Sequence, residues 1–138
     1  MGHYKSEEEI EAVVQGFESC ATAKEEFKHR SHLTVAVWYL SQSKQQQALS
    51  KMRAGLFRFL EHHGVGREKY NETLTIFWIK LVVDVFDQLD DGTSLVDRTN
   101  TILERLADPR VVFEYYSEAC LKSEMAKTLW VEPNLKNL

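Results

Sequence analysis

The sequence predicts an all-α fold: a single-domain helical bundle over residues 1–138, with four main helices and a smaller helical C-terminal section. Three observations carry this reading. Proline and glycine are scarce, two and six in 138 residues, and both prolines, Pro109 and Pro133, fall in the last third. No stretch alternates apolar and polar residues with the period of a strand. Apolar residues recur instead three and four apart, the spacing of a buried helical face.

Taken in order, helix one starts at Ser6, with Glu9 three residues on in capping-box spacing. Ile10, Val13, Phe17 and Cys20 form its apolar side. Ala21 to Lys24 reads as a short break, with Thr22 a candidate cap for the second helix. Helix two then runs from Glu25 to about Ser41. It is apolar almost all round from Leu33 to Leu40, as a helix at the centre of a bundle should be. At about 100° per residue, the face of Leu33, Ala36, Val37 and Leu40 extends backwards through His29 and Glu26, with His32 and Glu25 on its shoulder.

Helix three spans about Ser43 to Gly64, with Leu49, Met52, Leu56, Phe59, Leu60 and His63 inward and Gly64 as a left-handed C′ residue. Helix four follows the Val65-Gly66 loop and turns Leu74, Trp78, Leu81, Val82 and Val85 inward, with Asn71 one turn earlier on the same line. It stops before the turn-rich Asp90-Asp91-Gly92-Thr93. Ser94 caps helix five, which buries Leu95, Ile102 and Leu106. Asp108-Pro109 opens a helix over Val111 to Tyr116, interrupted at Ser117. Ser123-Glu124-Met125 opens a last short helix through Trp130. The tail, Glu132 to Leu138, reads as extended and packed through Leu135 and Leu138.

Bulk properties narrow the function class. A formal charge of -4 argues against a dedicated nucleic-acid binder and gives no basic patch for an anionic membrane. No apolar run approaches the roughly 18 residues of a spanning helix. The N-terminus leads directly into Ser6-Glu7-Glu8-Glu9 rather than an apolar segment, so a cytoplasmic location is expected. Cys20 and Cys120 lie far apart and match no metal or redox spacing. Free thiols are expected, with a single bridge as the alternative.

Two polar constellations point at the core. Glu26, His29 and His32 stand three apart, a spacing that converges on one neighbouring pocket. Glu-x-x-His is half of a di-iron signature, but no second copy occurs. A mononuclear Zn, Fe or Mn site built from His29, His32 and a carboxylate such as Glu72 is the metal reading. In the non-metal reading His29 is a catalytic acid/base supported by Glu26. The bland reading makes His29 a hydrogen-bonded core histidine. The second constellation is Tyr70-Asn71-Glu72-Thr73-Leu74-Thr75, at the start of helix four. Asn71, Thr75, Glu72 and, from helix three, Arg53 are candidate substrate-binding groups; the alternative for Asn71 and Glu72 is capping and complementing the helix dipole. Tyr115, Tyr116 and Trp130 read as packing.

The blocks Phe27-x-His29-x-x-His32-Leu33, Tyr70-Asn71-Glu72-Thr73-Leu74-Thr75, Tyr115-Tyr116-Ser117 and Trp130-Val131-Glu132-Pro133-Asn134-Leu135 resemble a family of small, uncharacterised helical bacterial proteins. The resemblance spans Phe27 to Leu138 in separated blocks and implies no particular activity. That family's helix-four block usually reads Tyr-His-Glu-Thr, so Asn71 stands where relatives carry histidine. An asparagine there weakens a metal site and favours a hydrogen-bonding pocket.

Two functions are therefore expected in competition. One is a small-molecule site, possible chemistry included, between helices two and four with His29 as acid/base or ligand group. The other is a non-catalytic interaction module or homodimer formed through an aromatic surface of Trp38, Tyr39 and Trp78.

Overall fold

The computed structural model of the chain describes residues 3–138. Ser6 starts the first helix, α1 (Glu7–Glu18). Its hydroxyl accepts from the Glu9 N–H (3.3 Å), and the Glu9 carboxylate accepts from the Ser6 N–H (3.3 Å), the capping box its spacing predicts. Ile10, Val14 and Phe17 turn inward. Cys20 is buried but lies past the helix end, with φ 62°, the one non-glycine residue of positive φ among the described residues. It fills the left-handed position after a helix, at roughly 1–2 kcal/mol for a residue with a Cβ, rather than extending the α1 stripe.

The second helix, α2 (His29–Gln42), begins four residues later than the apolar projection requires. Lys24, Glu25 and Glu26 form a turn instead, and Thr22 does not cap α2; its N–H bonds to the Gly16 carbonyl (3.1 Å). The cause is Phe27. Its ring stacks on Phe17 at 4.6 Å and lies 5.0 Å from Phe59, a contact reached only because Lys28 is extended (φ -102°, ψ -178°). Burying one phenylalanine is worth roughly 1.5–3 kcal/mol, more than one further exposed helical turn contributes.

Once started, α2 is covered on most sides. Leu33, Thr34, Val35, Ala36, Val37 and Tyr39 are buried. The covering elements are α1, α3 (Gln45–His62), α4 (Glu72–Gln88) and α5 (Leu95–Arg105). Of the two hydroxyls in that run, that of Thr34 donates to the Arg30 carbonyl (2.9 Å) and meets the Tyr4 hydroxyl (3.0 Å). Gly64 follows α3 with φ 71°, as expected of a C′ glycine.

The described chain is all-helical, without a strand. Where the sequence suggests four main helices, five reach eleven residues or more, because α5 packs on α2 and α4 as a core helix. The C-terminal section consists of a 3-10 turn (Pro109–Glu114) and the five-residue helices α6 (Glu118–Lys122) and α7 (Glu124–Thr128). A second 3-10 turn, Arg67–Lys69, precedes α4. No helix of the described residues is long and apolar enough to cross a membrane. Cys20 and Cys120 are both free thiols.

Two expectations change here. The tail does not pack through Leu135 and Leu138, which are 57% and 49% exposed. Polar contacts hold it: Asn134 Oδ1 accepts from the Ser117 N–H (2.9 Å), and the Leu135 N–H donates to the Tyr115 carbonyl (2.9 Å). Nor do Trp38, Tyr39 and Trp78 form a surface. Tyr39 is buried with its hydroxyl on Glu18 (2.6 Å), and Trp38 packs partly buried on the main core. Trp78 packs between the main core and a second cluster of Phe77, Val112, Tyr116 and Leu121. Tyr116 is fully buried, with its hydroxyl donating to the Val131 carbonyl (2.5 Å), so it is packing rather than a stacking platform.

Arg98 closes the α4–α5 turn. It is buried, donates to the carbonyls of Phe86 (3.1 Å), Asp90 (2.7 Å) and Thr93 (3.2 Å), and lies over the Phe86 ring. Replacing it by leucine strips three carbonyls of a charged donor, so urea unfolding should show a loss of roughly 2–4 kcal/mol. Gly55 is buried where α3 meets α1, and a methyl there would sit 2.5 Å from the Phe17 ring. Gly55→Ala should therefore lower the urea midpoint, by about 1–3 kcal/mol of stability, despite alanine's better helix propensity.

Candidate functional site

The main core and the second cluster do not close fully on one another. Between them α2, α3, α4 and the 109–121 segment enclose a cavity of about 560 Å³, within the range of small-molecule sites. Its walls are mostly apolar, built from residues such as Phe27, Leu33, Phe59 and Trp78. Lys24, Lys69, Pro109 and Phe113 line it while exposed, and they mark its mouth.

His29, His32, Asn71 and Thr75 all line this one cavity. His29 is the first residue of α2, and its Nε2 lies 2.8 Å from the Leu106 carbonyl. A carbonyl oxygen can only accept, so Nε2 carries a hydrogen, and in the neutral ring Nδ1 is the acceptor. The Trp78 ring meets the imidazole edge-on at 4.4 Å. His32 packs on Phe27 at 4.4 Å and makes no side-chain hydrogen bond with the described residues. Burial, and secondarily the charge of His29, push its pKa down to about 4, so at neutral pH the ring is uncharged.

Asn71 is the α4 N-cap. Its Oδ1 accepts from the Leu74 N–H (2.9 Å) and its Nδ2 donates to the Leu121 carbonyl (2.7 Å). Both ends of the amide are thus engaged, and the capping reading holds although the residue lines the cavity. The Thr75 hydroxyl donates back to the Asn71 carbonyl (2.9 Å). Tyr70 lines the cavity too, with its hydroxyl on Glu72 Oε1 (2.6 Å); burial first, then that hydrogen bond, raise its pKa to about 12.

The other candidates lie elsewhere. Glu26 is exposed in the turn before α2, so the helical three-residue relation to His29 does not exist. Glu72 and Arg53 lie at a separate depression beyond Tyr70, of about 410 Å³. There Arg53 grips the carboxylate with two bonds, Nε to Oε1 (3.0 Å) and Nη2 to Oε2 (2.6 Å). Burial raises the Glu72 pKa, but the Arg53 and Tyr70 hydrogen bonds outweigh it and the net shift is downward. His63 does not line the main cavity; its ring packs on Phe59 and its Nε2 is buried without a partner.

The metal set of His29, His32 and Glu72 is therefore not brought together. Glu72 is committed to Arg53 and Tyr70, and among the described residues no three His, Cys, Asp or Glu side chains converge as a metal site would require. The cavity lining contains no serine, cysteine or carboxylate. The chemistry these side chains offer is hydrogen bonding and proton exchange at imidazole.

Sequence reasoning missed Lys24, Lys69 and the 109–121 wall. Residues in turns carry no periodicity, so no sequence signal ties them to a helix face. Phe27 carries a signal, an aromatic residue beside the histidines, but the apolar period assigns it to a helix that the fold does not form there. Comparison of the chain with protein-family models, with characterised proteins and with solved structures returns no match.

His32 gives the site a pH signature. The unfolded chain takes up its proton near pH 6.5, the folded chain only near pH 4. Between those values the unfolded state holds more protons, so stability falls as pH drops through this window. Glu72 also has a lowered pKa and adds to the same decline at lower pH, losing its contribution as pH falls below the ordinary carboxylate value near 4.5. Between pH 7 and 4.5, His32→Leu should flatten the decline by roughly 2 kcal/mol, measured by urea unfolding beside the native chain.

Proposed function

We propose that this chain is a small-molecule-binding protein whose site is the cavity between α2 and α4, with His29 as the group that exchanges a proton or hydrogen bond with the bound molecule. One observation carries the reading: His29 and His32, at the start of α2, line the same 560 Å³ cavity as Thr75 of α4, and their ring nitrogens are not exhausted by the protein. Both imidazoles are half-buried, and the buried side-chain nitrogen without a partner among the described residues is His63 Nε2, outside the cavity, so the unbonded nitrogens of His29 and His32 stay accessible, as a ligand-facing role requires. The fixed tautomer of His29 presents Nδ1 as a base or acceptor.

The test is saturable binding of a neutral apolar dye, N-phenyl-1-naphthylamine, followed by dye emission and by quenching of Trp78. One site per chain is expected. Ala36→Phe and Leu56→Trp fill the cavity from two different walls, and each should weaken binding about tenfold or more while the chain stays folded by circular dichroism. Absence of saturable binding by the native chain, or unchanged binding in both folded variants, would remove the reading.

A second reading is self-association through the C-terminal section. It is favoured by the exposed apolar side chains Phe113, Met125, Leu129, Leu135 and Leu138, all in that section. Sedimentation velocity at micromolar concentration checks it: a dimer that dissociates on Met125→Glu with Leu129→Glu supports it, and a strict monomer ends it.

A further inference from the structure

We infer that the ligand class is an amphipathic carboxylate, an apolar chain or ring system ending in one carboxylate. This rests on the cavity reading above and adds its charge. The chain carries 21 Asp and Glu against 17 Lys and Arg. Yet no Asp or Glu lines the cavity, while two lysines, Lys24 and Lys69, do. The local balance is the reverse of the whole chain's. Neither lysine's ammonium group makes an ion pair or hydrogen bond with the described residues.

The interior demands an apolar body. Tyr70, Asn71 and Thr75 have spent their polar groups on Glu72, Leu74, Leu121 and the Asn71 carbonyl. His32 is neutral, His29 offers one unbonded ring nitrogen, and the remaining wall is aliphatic and aromatic. An ionised group could not be solvated there. At the mouth the situation inverts: both ammonium groups are exposed and uncommitted, where a carboxylate keeps part of its hydration and gains two opposite charges. A phosphate fits less well, because no arginine lines the cavity and the α4 N-terminus is already capped by Asn71.

Isothermal titration of the full chain with sodium decanoate, decanol, decylamine and decyl phosphate, each below its micelle concentration, tests this. Decanoate should bind about tenfold or more tighter than decanol and lose that advantage in high salt; decylamine should bind more weakly than decanol. Lys24→Gln with Lys69→Gln should bring decanoate down to the level of decanol without changing decanol itself, whereas Lys51→Gln, outside the cavity, should change neither. Equal binding of decanoate and decanol by the native chain would overturn the charge inference while leaving the cavity reading intact. Decyl phosphate binding tighter than decanoate would overturn the carboxylate assignment. If the neutral dye fails as well as all four decyl compounds, the cavity reading itself falls.

Discussion

Covering α2 is the constraint on which the rest of this structure depends. Six of its residues between Leu33 and Tyr39 are buried, so it needs neighbours on most of its circumference, and α1, α3, α4 and α5 supply them. Even the N-terminal segment takes part, since Tyr4 reaches Thr34 and its backbone is held by Asn100 of α5. At the first turn of α2 the packing is looser: Phe27 lies on His32 and Trp78 of α4 on His29, while the short pieces of residues 109–121 face this end across the cavity. Short elements leave gaps that long helices in ridge-and-groove contact do not, and the cavity is that gap.

The polar residues around the cavity divide by one criterion, whether the protein satisfies them. The Tyr70–Thr75 block reads in sequence as a cluster of substrate-facing groups. In the fold it is mostly a fastening. Asn71 holds Leu121, and the Thr73 hydroxyl donates to the Leu129 carbonyl (2.6 Å) and accepts from the Val131 N–H (3.1 Å). Ser117 and Asn134 complete the clasp. The Tyr70–Thr75 block thus ties the C-terminal section to α4. His32 and the Nδ1 of His29 stand apart from this network, with no hydrogen-bond partner among the described residues.

Tyr70 separates two electrostatic environments. On one side its ring lines the apolar cavity; on the other its hydroxyl completes the Arg53–Glu72 pair. That pair is partly buried and doubly bonded, geometry that gives an ion pair more than the marginal worth of an exposed one. It fixes the entry into α4, and with it the orientation of Asn71 and Thr75 toward the cavity. Arg98 does the corresponding work at the other end of α4 by occupying the carbonyls of the turn into α5. Neither arginine announces this in the sequence, since a lone basic residue in a helix has the same local appearance whether paired or solvated.

The sequence by itself determined the helical class, the caps at Ser6, Asn71, Ser94, Asp108 and Ser123, the glycine at 64, and the convergence of His29, His32, Asn71 and Thr75. These are legible because capping and helical periodicity are set within a few residues, and a face projected along one helix stays true while the helix lasts. Where the helix was assumed and absent, at Glu25 to Lys28, the projection failed and Glu26 went to solvent. Tertiary structure alone decided that Glu72 belongs to Arg53 rather than to a histidine pair, and that Trp78 joins two cores instead of facing a partner. It also brought Lys24 and Lys69 to the mouth of a cavity whose lining has no acid. Those outcomes depend on which distant segments meet, and long-range partnership leaves no period in the chain.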